Sequence, residues 1–317
     1  MSTSPTRGRL LDLHPAEGDI RAEVLAGLTA TPKTLPEQKE IPSKFLYDER
    51  GSKLFERITE LPEYYPTRTE LGIMRRHVEA MTEAIGPRAA VIEYGSGDGQ
   101  KSRLLIEHLI EPAAYIPVEI SRTALLEAVE RLHADYPRLP VMPVCADYTQ
   151  QLDLPDEPGE RLKRVVFFPG STIGNFDPDD ARAFLERSAT LCGRGGGMLI
   201  GVDLVKDPAI LHAAYDDARG VTAAFNHNLL RRINRELGGD FDPASFTHAP
   251  RWNAALSRME SHLRSDVSQT VHVADLAIDF AEGETIHTEN SHKYTLAGFA
   301  DFAAAAGWRV DRVWTDP

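Results

Sequence analysis

Residues 90–105, AVIEYGSGDGQKSRLL, set an acid, Glu93, and a glycine turn, Gly95-Ser96-Gly97-Asp98-Gly99, between an apolar run and an amphipathic one, with Lys101 just beyond. Glycines at 95 and 97 let a backbone turn tightly and approach a ligand closely. The spacing is not G-x-G-x-x-G: the third glycine falls one position early, and Gln100 stands where a dinucleotide site needs glycine. Glu119 ends the run YIPVEI, roughly 20 residues past the turn, where a carboxylate can accept from both hydroxyls of a ribose and repels a 2′-phosphate. Asp147 and Tyr148 follow a third apolar run; the acid can accept from an exocyclic adenine amine, and the ring can cover the base. Gly170 and Asn175 lie in PGSTIGN, after a fourth. The set suits an adenosine ligand that lacks a pyrophosphate.

These residues need a scaffold that brings the ends of several strands together. Apolar runs at 91–94, 115–120, 141–145, 165–168 and 197–204 alternate with helical patterns at 100–110, 121–137 and 178–192. That alternation predicts an α/β fold with a mostly parallel sheet, whose ligands sit beyond the carboxyl ends of the strands. A helix is expected before it, from a Thr69 cap to Gly86. After residue 205 the pattern changes. Residues 209–238 read as a long helix bent near Gly220, and 258–265 and 268–280 alternate with period two, which predicts a hairpin of those two segments. A helix near 296–306 and a strand at 308–315 return the chain to the sheet. The expected division is therefore 69–206 with 293–317 as one domain. Residues 15–68 with 207–292 form a second α+β domain, and the cleft between them is the place for a small molecule.

Composition bounds the rest. The 317 residues are 42% hydrophobic, with a net charge of −13 that would be repelled by a phosphate backbone. There is no bilayer-length apolar run and no secretion signal, and the two cysteines make no metal pattern. A cytoplasmic monomer acting on a small molecule is expected, without a metal, membrane or nucleic-acid partner. The glycine turn preceded by an acid resembles class I S-adenosylmethionine-dependent methyltransferases with a Rossmann-like sheet. A nicotinamide-dependent dehydrogenase is disfavoured by the missing glycine and by the lack of a Ser/Tyr/Lys or His catalytic grouping; a binding module without catalysis is a third class.

Longer motifs go further. LPEYYPTRTE, EYGSGDGQKSR, FFPGSTIGNF, GVDLVKD, AYDDARGVTAAFNHNLLRRINRELGGDFD, FAEGETIHTENSHKY and WTDP closely resemble the histidine Nα-methyltransferase family of ergothioneine biosynthesis, in order from about residue 20 onward. The resemblance implies three methyl transfers from S-adenosylmethionine to the α-amine of L-histidine, giving hercynine. It implies that Tyr64, Asn175 and Tyr215 hold the amino-acid end, with Tyr47, Phe55 and Gly170 beside them. Tyr47, Tyr64 and Asn175 carry the catalytic positioning. It implies that Glu289 and Ser291 hold the imidazole, and that Gly95, Ser96, Gly97, Lys101, Glu119, Asp147 and Tyr148 hold the cofactor. The chemistry agrees: methyl transfer to an amine needs a neutral lone pair held in line, and uncharged phenols and an amide hold an amine without locking it as a cation. Three departures stand out. Tyr94 replaces the usual Leu, Glu119 the frequent Asp, and Ser261 the typical Met near the imidazole. A smaller residue at 261 would loosen side-chain preference, so another aromatic amino acid such as tryptophan is the alternative substrate. Glu289 argues against it, since indole has one N–H donor and no acceptor for Ser291.

Overall fold

The computed structural model describes residues 10–13, 20–29, 38–95, 99–152, 154 and 162–316. Its elements begin with β1 (Leu11–Asp12), α1 (Ile20–Thr29), β2 (Gln38–Glu40), a 3-10 turn at Ser43–Leu46, and α2 (Glu49–Thr59). Then follow α3 (Tyr65–Ile85), β3 (Ala89–Tyr94), α4 (Gln100–Ile106), β4 (Ala114–Glu119), α5 (Arg122–Asp135), β5 (Val144–Cys145) and β6 (Lys163–Phe168). A 3-10 turn at Thr172–Asn175 leads to α6 (Pro178–Cys192) and β7 (Gly197–Ile200). After α7 (Pro208–Tyr215) and α8 (Val221–Leu237) come β8 (Phe246–His248), β9 (Arg251–Asn253), β10 (Arg258–Ser265), β11 (Gln269–Val273), β12 (Leu276–Phe280), β13 (Thr285–His292) and α9 (Leu296–Ala305).

The first sheet runs β1-β5-β4-β3-β6-β7, and every pair in it is parallel. Strand β3 is buried along its whole length because helices cover both faces. Ala90, Ile92 and Tyr94 enter one apolar layer, and Ala89 and Val91 the other. The chain leaves β3 to either side, toward β4 and toward β6, so the ends of β3 and β6 flank the switch point where a crevice opens. This is the mostly parallel α/β sheet expected from the alternation of runs. Ser121 caps α5, its hydroxyl accepting from the Ala124 N–H, and Pro178 opens the first turn of α6. The polar N-terminus supplies an edge strand, β1, that composition alone did not suggest.

The second sheet runs β2-β13-β10-β8, with β9 also on β10. Its apolar side shares one core with α1, α2, α7 and α8: Val24, Leu54, Leu211, Phe225, Leu229, Leu263 and Ile286 pack together. Segments far apart in sequence thus meet, and β2 joins β13 in parallel register. Gly220, with φ 68°, separates α7 from α8 as the expected bend did. No helix among the described residues is long and apolar enough to cross a membrane.

Three local expectations are corrected. Helix α3 starts at Tyr65 with Pro66 in its first turn, not at a Thr69 cap, because proline's fixed φ pre-organises a first turn. The runs 258–265 and 268–280 do not pair with each other. Strand β10 pairs with β13, and 268–280 folds back on itself as β11 and β12 around Ala274, φ 53°. Residues 308–315 form no strand; Val310 and Val313 stay exposed, and an alternating pattern without a neighbouring edge has nothing to pair with.

Candidate active site

At the end of β3 the chain turns at Gly95, φ 69°, whose N–H donates to the Val118 carbonyl at 3.1 Å. Gly99, φ 73°, caps α4, and a Cβ at either glycine would meet no atom of the described residues within 4 Å, which leaves this backbone open to a ligand on that side. Ser96 and Gly97 lie outside the described residues. Lys101, in the first turn of α4, pairs with Glu70 of α3 at 2.5 Å. Glu70 also accepts the Gly170 N–H at 2.8 Å, and a Cβ on Gly201 would stand 1.9 Å from its Oε1. Gly201 must therefore lack a side chain for Glu70 to reach Lys101.

Glu119 closes β4 with Oε1 accepting from the N–H groups of Ile120 (2.9 Å) and Ser121 (3.3 Å). Burial pushes its pKa up, and those two bonds act against the rise. Asp147 Oδ1 accepts from Thr149 N at 2.8 Å and Thr149 Oγ1 at 2.6 Å, which fixes the carboxylate beyond β5. Tyr148 stacks on Tyr94 at 5.4 Å and meets Phe168 and Phe184 edge-on. Much of its ring therefore faces the core, and Tyr94 is the other half of this stack. Open glycine backbone, a cation at a helix start and carboxylates ending neighbouring strands fit a nucleoside that carries an amino-acid tail.

The other end of the site is made of side chains. Tyr47 closes the 3-10 turn, and the next residue, Asp48, caps α2 while bonding Asn228 and Arg235 of α8, both at 2.7 Å. Tyr64 caps α3, and Tyr215 ends α7. Rings of Tyr47, Phe55 and Phe225 meet at 5.3–6.0 Å, and Tyr64 lies 6.2 Å from both Phe55 and Tyr215. Burial raises the hydroxyl pKa of Tyr47 and Tyr64 well above the ordinary value, so both stay neutral phenols.

Glu289 faces this ring set. Its Oε1 accepts from Tyr47 OH at 3.1 Å and from Asn175 Nδ2 at 3.3 Å. Burial pushes its pKa up to about 7, against the Tyr47 bond and the Lys293 charge. An irregularity in the ladder orients it: Ser261 pairs with Glu289 and His262 with His287, leaving Thr288 as an extra residue. The bulge turns Glu289 and Ser291 onto the face opposite His287. Ser261, buried, is directly across from Glu289 on the same rung.

Beside Glu289, Ser291 Oγ lies 2.7 Å from Tyr215 OH. Both hydroxyls accept from Lys293, at 2.8 and 2.9 Å, and Lys293 pairs with Asp203 at 2.8 Å. Tyr65 and Lys206 also bond Asp203, at 2.5 and 2.6 Å. Burial alone would raise the Asp203 pKa, but the Lys293 charge leads a set of partners that hold it below the usual value. Lys293, Asp203, Lys206, Glu70 and Phe225 were not singled out from sequence. The signal for Lys293 was available: it continues the period-two series from 289 and 291.

The two ends are joined by the loop after β6. Gly170 lies on the Lys101 side, and Asn175, six residues inside FFPGSTIGNF from the strand, reaches Glu289. Between them Ser171 holds a left-handed φ of 55°, unusual for a side-chain-bearing residue, while its Oγ accepts the Asp203 N–H at 2.8 Å. Gly174 is backed by β13: a Cβ there would lie 2.9 Å from the His292 carbonyl oxygen.

A family model described as histidine-specific methyltransferase, SAM-dependent, matches residues 20–317. The chain is 42% identical over 303 residues to a histidine N-alpha-methyltransferase of Mycolicibacterium smegmatis, covering 94% of this chain and 91% of that protein. It is 41% identical, with the same coverage, to the histidine N-alpha-methyltransferase of Mycobacterium tuberculosis. Ergothioneine biosynthesis protein 1 of Neurospora crassa is 36% identical over 233 residues, 72% of this chain and 26% of that longer protein.

Proposed function

The chain belongs to the histidine-specific, S-adenosylmethionine-dependent methyltransferase family, and from that membership we propose that it methylates the α-amine of L-histidine three times. The product is hercynine, and the step opens ergothioneine biosynthesis. One observation carries the reading: a single loop puts Gly170 at the Lys101 end and Asn175 against Glu289. The donor and acceptor pockets are thereby held in fixed relation.

S-adenosylmethionine supplies, when bound, an electrophilic methyl on a sulfonium sulfur. Gly95, with the neighbouring Ser96 and Gly97 of the turn, Lys101, Glu119, Asp147 and Tyr148 are the residues that would hold it. Tyr64, Asn175 and Tyr215 take the amino-acid end of histidine, and Glu289 and Ser291 its ring. Tyr47 and Tyr64, held neutral by burial, serve as hydrogen-bonding walls and not as phenolate bases. Asp203, the carboxylate near Tyr215, is tied up by Lys293 and Lys206, so its charge does not fix a proton on the amine. The amine therefore meets neutral partners, which favours its bare lone pair. As methyls accumulate, aromatic faces suit the growing cation. Catalysis by this arrangement is mostly positioning.

We take the working unit to be a cytoplasmic monomer that acts on a free amino acid and not on nucleic acid, for which the net charge of −13 is the support. Residues 69–206 with 293–317 are proposed as the cofactor domain, and 15–68 with 207–292 as the substrate domain; the core shared by α1, α2, α7 and α8 supports this division. The test is a mass measurement. With S-adenosylmethionine and each of the twenty amino acids in turn, histidine should gain one, two and three methyls. Methylation of tryptophan in preference, or of nothing, would overturn the proposal.

A further inference from the structure

We propose that Lys293 is a positioning residue that fixes which way Ser291 directs its proton, and so admits only a neutral imidazole whose hydrogen sits on the nitrogen facing Glu289. The inference rests on the histidine reading above. The Lys293 ammonium has three N–H bonds, and three acceptors surround it: Asp203 Oδ2 at 2.8 Å, Ser291 Oγ at 2.8 Å and Tyr215 OH at 2.9 Å. Its side chain is 1% exposed, so water does not replace any of them. Tyr215 and Ser291 are 2.7 Å apart, so one of their two protons lies between them.

A hydroxyl has one proton and two lone pairs. With Lys293 filling a lone pair on each, two arrangements remain. If Tyr215 donates, both Ser291 lone pairs are filled, and Ser291 offers a ligand its proton alone. If Ser291 donates, it offers a lone pair alone. Glu289 selects between them. Its Oε1 accepts from both Tyr47 and Asn175, and in its ionised form its other oxygen can only accept, so it takes an N–H from the ring. The other ring nitrogen is then bare, and the first arrangement meets it. An imidazolium would set an N–H against the Ser291 proton. An indole would leave that proton without an acceptor, and a buried unmet donor is costly.

The experiment is calorimetry on the full chain with two probes, L-histidine and 3-(1,2,4-triazol-3-yl)alanine, whose ring stays neutral across the range. Affinities are compared at about pH 5.5 and about pH 8, either side of the ordinary imidazole value of ~6.5. Glu289 titrates with both probes alike, burial keeps the Tyr47 and Tyr215 hydroxyls above this range, and the partners of Asp203, against burial, keep it below, so the ratio of the two affinities isolates ring protonation. In the wild type the histidine-to-triazole ratio should fall about tenfold on acidification. In Lys293→Met, which keeps length and loses every donor, histidine should bind about tenfold more weakly at about pH 8, and the ratio should barely change with pH. A flat ratio in the wild type, or an unaltered pH dependence in Lys293→Met, overturns the proposal. Should Lys293→Met not fold, Ser291→Ala decides by the same ratio: a histidine-to-triazole ratio that no longer changes with pH supports the proposal, and the wild-type tenfold fall overturns it. If the wild type binds histidine at neither pH, the histidine reading itself fails and takes this inference with it.

Discussion

Glu260 of β10 and Glu289 of β13 stand on adjacent rungs of one ladder, and the protein treats their charges in opposite ways. Glu260, 2% exposed, accepts from Arg251 at 2.5 Å, Asn253 at 2.8 Å, Arg258 at 2.9 Å and His262 at 3.2 Å. Burial would raise its pKa, but His262, Arg251, Asn253 and Arg258 together hold it far below the ordinary carboxylate range. Among the described residues Glu289 has no directly paired cation and two neutral donors, both on one oxygen, and burial pushes its pKa up to about 7. A carboxylate whose partners are all present is structural. One left partly unmet among aromatic side chains is the one we propose meets a ligand. The bulge at Thr288 lets one strand pair present both kinds, one on each face.

The sharpest way to break this comparison is to remove each acid. Glu260→Ala should cost about 3–5 kcal/mol of stability, because Arg258, mostly buried, loses its close partner. Chemical denaturation reads this directly, and histidine KM of the protein that remains folded should hold. Glu289→Ala should do the reverse. It should lower kcat/KM for histidine by roughly 2–4 kcal/mol of transition-state binding, roughly 30- to 1,000-fold, with unchanged cofactor affinity. If folded Glu260→Ala protein lost histidine use to the same degree, the division between structural and ligand-facing acid would fall.

The contrast also shows what a sequence discloses. The end we propose for the cofactor was legible because its parts are local: a glycine turn after an apolar run, and acids at the ends of the next two runs. The parallel sheet followed from the same alternation. At the substrate end, Glu289 and Ser291 came only through long motif resemblance. Their orientation depends on Thr288, an unpaired residue that no period marks. The pairing of β11 with β12 was hidden because its turn at Ala274 takes a positive φ without a glycine to announce it. Lys293 was missed for another reason. A lysine reads as surface, and its burial depends on Asp203, about ninety residues earlier and brought beside it where Leu204 bridges Tyr294.

A subtler effect sharpens the comparison through pH. Because the folded pKa of Glu289 is raised from 4.5 to about 7, the folded state favours its protonated form. Stability from this group is fully present below about pH 4.5 and is lost as pH rises through about 7, so the ionised acid is a liability above that. Glu289→Gln is neutral at every pH. Without ligand it should be more stable than wild type at about pH 8, by on the order of 1–3 kcal/mol, and the gain should vanish below about pH 4.5. Tm measured against pH for both proteins checks this. Glu260→Gln should show the opposite sign, a loss at about pH 8, since its folded pKa is depressed.

The smallest expected change concerns Tyr47, whose hydroxyl donates to the unfinished acid. Its bond to Glu289 is one of the two that stabilise the carboxylate, and it acts to lower that pKa. In Tyr47→Phe the ring remains and keeps its edge contacts with Phe55 and Phe225, so packing should be nearly unchanged. Asn175 still donates to the same oxygen. The loss should therefore be about 0.5–1.5 kcal/mol in kcat/KM for histidine, a few-fold. With one donor gone the Glu289 pKa rises further, so the acid limb of histidine binding should move to higher pH. That shift separates two roles for Tyr47. A tyrosine that only walled the pocket would alter KM equally at all pH values. One that tunes the carboxylate moves the limb, and a pH profile of histidine affinity in the two proteins tells them apart.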